Sequence, residues 1–218
     1  MAAAGQDARE RRVIDREALA DGIVHVVGLA CGLVGGLGLL VMAARSPAET
    51  PLVPVGVYVA GLLAMLTCSA LYNVLRSHPR RDWLRRLDHA AIFVMIAGTY
   101  TPIAVLGLDH PWDLAVILAV WAVAAVGVVL KLVRPQAIES VSVALYLLQG
   151  WIGLFALEQL WTSVPLRVLV MILLGGLVYS GGVIFHLSVR RYGRALWHGC
   201  VLLGAAFHYI AIASLIAA

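Results

Sequence analysis

Charge is scarce in this sequence. Only 13% of its 218 residues are Asp, Glu, Lys or Arg, against 62% apolar residues and a mean hydropathy of +0.93. A soluble globular domain carries about a quarter charged residues, so that class is excluded. Cysteine is scarce too. Cys31, Cys68 and Cys200 all stand inside apolar runs and in no CxxC spacing, which argues against a disulfide framework and leaves them as packing residues. No Gly-x-Ser-x-Gly or Ser-His-Asp pattern offers a serine nucleophile. The polar start, Met1 to Arg16, is not followed by a short apolar core with a small-residue cleavage site, so no cleavable signal peptide is expected.

What is present is a series of long apolar runs. They cover about residues 21–44, 51–75, 88–107, 112–133, 138–158, 163–187 and 195–217, each long enough to span a bilayer as a helix at a rise of about 1.5 Å per residue. Pro47, Pro51, Pro79, Pro111 and Pro135 stand in the breaks, where helices stop. The expected fold is all-α: a polytopic membrane protein whose domain, residues 21–218, is a seven-transmembrane-helix bundle. Residues 1–20 form a charged segment ahead of it.

Basic residues orient the bundle. With the N-terminus cytoplasmic, fourteen Lys and Arg residues fall on the inner side, in four clusters: Arg9 to Arg16, Arg76 to Arg86, Lys131 with Arg134, and Arg190 to Arg194. Only Arg45 and Arg167 fall outside. That asymmetry predicts N-terminus in and C-terminus out, in a plasma (inner) membrane. The same clusters carry the net charge of +4. Anionic lipid headgroups account for it, so membrane lipids are the expected partners and nucleic acid is not. Gly28, Gly32 and Gly36 recur at every fourth residue of the first span, and Gly175, Gly176, Ser180, Gly181 and Gly182 crowd the sixth. Small residues at that spacing let helices of one bundle approach closely in lipid.

Ionisable groups in such runs are costly and default to function. Asp21 and His25 open the first span, Ser69 and Asn73 close the second, Asp88 and His89 open the third, His186 closes the sixth, and Arg194 and His198 open the seventh. Three of these pairs are spaced i, i+4, which puts both members on one helix face. All are expected at one depth, on the cytoplasmic side. Each alone has a bland reading: Asp21 and Asp88 as helix-dipole partners, His25 as a core histidine. Together they predict a shared polar interior site. His208 lies about 15 Å deeper on the last span, while His78 and His110 fall in loops. Trp83, Trp112, Trp151, Trp161 and Trp197 stand mostly near span ends, as an interfacial belt does.

The runs Glu17-x3-Asp21-x3-His25, Ser69-Ala-Leu-Tyr-Asn73, Leu87-Asp88-His89 through Ala97-Gly98-Thr99-Tyr100-Thr101-Pro102, and Trp197-His198 with His208 ten residues on, resemble the hemolysin III family, related to the progestin and adipoQ receptors. The resemblance covers nearly the whole chain. It implies a seven-helix bundle with a cytoplasmic N-terminus. It also implies, from zinc-bearing relatives, a zinc ion held by three histidines beside a helix-three carboxylate that supports a zinc-bound water. Asp88 matches that carboxylate and His198 one histidine. Asn73 and Arg194 stand where the other two would be, and Asp21 replaces the usual Asn.

Arginine cannot ligate a metal and would repel one. No cofactor is therefore expected at the family's own ligand set. Asp21, His25, Asp88, His89 and His198 remain as an alternative set for zinc, and Arg194 is expected to take the metal's electrostatic place beside Asp88 or Asp21. By resemblance, the expected function is that of a non-enzymatic channel, pore-forming or membrane-regulatory protein, since two of the three zinc ligands are replaced. The alternatives are a zinc-dependent hydrolase of lipid amides and a receptor-like protein binding a lipid in the bundle.

Overall fold

The computed structural model describes residues 2–46, 52–138 and 141–218, with side chains described for 16–46, 52–136 and 141–218. Among these residues the only regular secondary structure is helix. The order is α1 (Ala2–Arg45), α2 (Leu52–Val74), α3 (Arg81–Gly107), α4 (Trp112–Val133), the single turn α5 (Pro135–Ile138), α6 (Ser142–Gly150), a 3-10 segment (Ile152–Ala156), α7 (Leu157–Ser163), α8 (Leu166–His186) and α9 (Gly193–Ile216). Among the described residues seven spans are long and apolar enough to cross a membrane, and the protein is a multi-pass membrane protein. Pro47 and Pro51, together with the side chains of the charged segment up to Asp15, lie outside the described residues.

Two helix starts differ from expectation in a way that bears on the site. The third helix begins at Arg81, not near residue 88. Asp88 is therefore two turns inside α3, out of reach of the first-turn dipole that would have explained it. Asp21 likewise lies deep within the continuous helix α1.

The fifth span is not one helix. Over Ser142–Ser163 it is α6, then the 3-10 segment, then α7. Gly150 and Gly153 flank Trp151-Ile152 there, and glycine is the weakest helix former after proline. In lipid the backbone groups freed by such a break must find partners inside the protein. Tyr100 of α3 supplies them, its hydroxyl donating to the Gly150 carbonyl at 2.6 Å and accepting from the Gly153 amide at 2.9 Å.

Glycines set the helix spacings. A Cβ on Gly61 would stand 3.3 Å from the Val94 carbonyl, and one on Gly98 3.2 Å from the Val57 carbonyl, so α2 and α3 meet backbone to backbone. The α1 stripe instead receives side chains of the same chain: Leu202 against Gly28, Leu66 against Gly32 and Val59 against Gly36. The expected close packing within one bundle is what those glycines serve. The Thr-Tyr-Thr step of α3 is turned inward. Thr99 and Thr101 donate to the Met95 and Ala97 carbonyls at 2.8 Å, and the Trp121 indole donates to Thr101 at 3.1 Å. One buried apolar cluster gathers residues of α1, α2, α3, α7, α8 and α9, and a second lies between α3, α4 and the 3-10 segment.

Candidate functional site

The polar residues converge at the end of the bundle that carries the α2–α3 and α8–α9 loops. Asp21 is the centre. It is 1% exposed. His198 of α9 approaches its Oδ1 through Nδ1 at 2.6 Å, and His25, one turn along α1, stands at 3.8 Å from the same oxygen. The His25 and His198 rings are 4.4 Å apart, tilted by 53°. Arg76 closes the site from the end of α2, with Nη2 at 3.9 Å from Asp21 Oδ2.

The second carboxylate, Asp88 of α3, is buried and faces the Ser69 side chain of α2. It lies within electrostatic range of His198 and Asp21. Asn73, also buried, donates its side-chain amide to the Ser69 backbone carbonyl at 3.0 Å, while the Asn73 backbone carbonyl accepts from Arg76 Nε at 3.0 Å. Asp21 Oδ2 and His25 Nε2 are buried with no hydrogen-bond partner. In native interiors such atoms are rare and call for an explanation.

Six of the eight residues singled out from sequence thus come together: Asp21, His25, Ser69, Asn73, Asp88 and His198. Two do not. His89 points the other way from Asp88, toward α4 and α6, with Nδ1 at 3.4 Å from Lys131 Nζ and its carbonyl accepting from Tyr146. Arg194 is exposed and lines an open cleft with Glu17, Ser188 and Arg190. Among the described residues it forms no ion pair with Asp88 or with Asp21, so the expected direct pairing is corrected, although its charge still acts on Asp21 from the cleft. The guanidinium at the carboxylate belongs to Arg76, counted from sequence only as a loop charge. Its signal was there: Ser69, Asn73 and Arg76 follow one helical stripe. Lys131, also counted as a loop charge, is 1% exposed inside the bundle.

Residues 15–209 match the haemolysin-III related family. The chain belongs to that family. Among its haemolysin-III relatives are the hemolysin-3 homolog of Bacillus subtilis (strain 168), 28% identical over 90% of this chain and 93% of the relative, and hemolysin-3 of Bacillus cereus, 28% identical over 90% of each. The monocyte to macrophage differentiation factor of Homo sapiens is more distant, 27% identical over 72% of this chain and 67% of its own length.

Whether zinc fits this haemolysin-III protein turns on the donors present. The donor atoms of Asp21, His25 and His198 lie within 4.8 Å of one another. Two imidazoles and a carboxylate are an accepted zinc donor set, and two of the donor-bearing groups carry buried atoms that lack partners. The residues fit. The set is drawn from α1 and α9, with Asn73 and Arg194 outside it.

Proposed function

We propose that this haemolysin-III protein is a metal-dependent membrane hydrolase acting on an amide or ester bond of a lipid at the cytoplasmic face. One observation carries the reading: the Asp21–His25–His198 cluster, with Asp21 and His25 buried and His198 half-buried, Asp21 Oδ2 and His25 Nε2 unpartnered, beside a second buried carboxylate. Asp21, His25 and His198 would hold the ion. When bound, it supplies a Lewis acid that makes water nucleophilic at neutral pH and polarises a carbonyl.

The chain's own groups do the rest. In this reading Asp88 orients a water and accepts its proton, with the Ser69 side chain facing the carboxylate. The Asp21 carboxylate holds the His198 ring through Nδ1, which sets its tautomer. A lipid ligand follows from the setting, since the site faces the membrane–water boundary at one end of the spans. The names of the two bacterial relatives suggest lysis instead. A pore needs a polar lane, and on the far side of the site the interior is filled by Tyr58, Leu62, Met65, Met95 and Ile212. That packing favours the hydrolase.

The test is elemental analysis of the protein purified without added chelator, together with release of fatty acid from amide- and ester-linked lipids in nanodiscs. About one zinc per chain, lost in His25→Ala and His198→Ala, with metal-dependent release, is the expected result. A metal-free protein that zinc neither stabilises nor activates would defeat the proposal.

A further inference from the structure

Arg76 holds a position that the site's chemistry leaves unexplained. Asp21 is enclosed, and a buried carboxylate without a counter-charge costs several kcal/mol. Its Oδ1 is engaged by His198, whereas Oδ2 has no hydrogen bond and faces Arg76 Nη2 at 3.9 Å. That distance gives Coulombic attraction without the bidentate contact that makes an arginine–carboxylate pair strong. The guanidinium is tethered instead through Nε to the Asn73 carbonyl at 3.0 Å. Its side chain is 31% exposed, against 2% for Asp21. Water is therefore open to the arginine and closed to the carboxylate.

We infer that Arg76 is the exchangeable counter-ion of Asp21, neutralising the carboxylate when no metal is held and giving way when a divalent cation enters. The inference rests on the metal reading above and adds a regulation of that site. A dication among Asp21, His25 and His198 would stand within a few ångströms of the guanidinium, and the two repel. Both also seek the same Oδ2. Only the arginine has somewhere to go, because it can swing into solvent at the mouth while the ligands cannot move. The Asp21 carboxylate thus keeps a positive partner in both states, and Arg76 lowers the affinity for metal by competing for its ligand.

The experiment measures Zn2+ affinity in nanodiscs by competition with a chromophoric chelator, and the unfolding midpoint with and without saturating Zn2+, for the wild type and Arg76→Gln. The variant is expected to bind zinc about fivefold more tightly. It should unfold earlier than the wild type without zinc and at the same temperature with it, since affinity and stability are linked. Equal or weaker affinity in Arg76→Gln, with zinc still bound, overturns the exchange and leaves the metal site standing. Zinc bound by neither protein removes the metal reading itself. A second measurement uses the unaltered chain: phenylglyoxal modification of Arg76, followed by mass spectrometry, should quicken when Zn2+ is added. An unchanged or slower rate overturns the inference.

Discussion

The Tyr100 hydroxyl donates to the Gly150 carbonyl at 2.6 Å, joining α3 to the break in the fifth span. The same oxygen accepts from the Gly153 amide, so one side chain satisfies both edges of the interruption. Tyr100→Phe removes both bonds and strands two backbone groups in an apolar setting. The expected loss is about 1–3 kcal/mol, read as a lower unfolding midpoint in detergent. An unchanged midpoint would mean that water or lipid headgroups satisfy the break instead.

Gly127 of α4 offers a contrast within one residue type. A Cβ there would sit 2.5 Å from the ring of Phe93, which is fully buried, whereas a Cβ on Gly22 would meet nothing within 4 Å. Gly127→Ala should destabilise by about 1–3 kcal/mol through overpacking. Gly22→Ala, in mid-helix, should be neutral or stabilising by up to about 1 kcal/mol. Thermal unfolding of the pair checks both signs.

The two carboxylates should separate by function. Asp21→Asn removes one of the three proposed ligands and is expected to abolish zinc binding. Asp88→Asn leaves the three ligands in place, so zinc stoichiometry should hold while lipid hydrolysis falls by roughly 100-fold or more, the scale of a lost general base. Loss of zinc from the Asp88 variant would make that carboxylate a ligand.

Orientation is testable without the site. Fourteen basic residues on one side and two on the other predict that a reporter fused after Ala218 reads as external and one inserted in the 76–86 loop as cytoplasmic. The reverse pattern would move the proposed reaction to the outer face.

The spans were legible because lipid imposes a length and a composition on any helix that crosses it. The break at residues 150–156 was not, since that run is apolar throughout and only Gly150 and Gly153 hint at it. Most of the site was legible from helical periodicity: Asp21 with His25 and Ser69 with Asn73 do share faces. The same geometry should have separated Asp88 from His89, because neighbouring helical residues point about 100° apart and only one of them can face α9. Arg194 and Arg76 were exchanged for a different reason. Sequence shows that a guanidinium is near, but a long side chain at a helix end can turn inward or outward, and only the packing of the α2–α3 and α8–α9 loops decides which.

The hydrogen bond between Asp21 and His198 spans 177 positions of the chain. Ser69 and Asp88 belong to the neighbouring helices α2 and α3, which Gly61 and Gly98 press together early in the sequence. Their half of the centre can therefore be assembled while the ribosome is still at work. The other half waits for the last helix to enter the membrane. A truncated or stalled product lacking α9 leaves Asp21 without His198, so the proposed metal set stays open until the last helix is made.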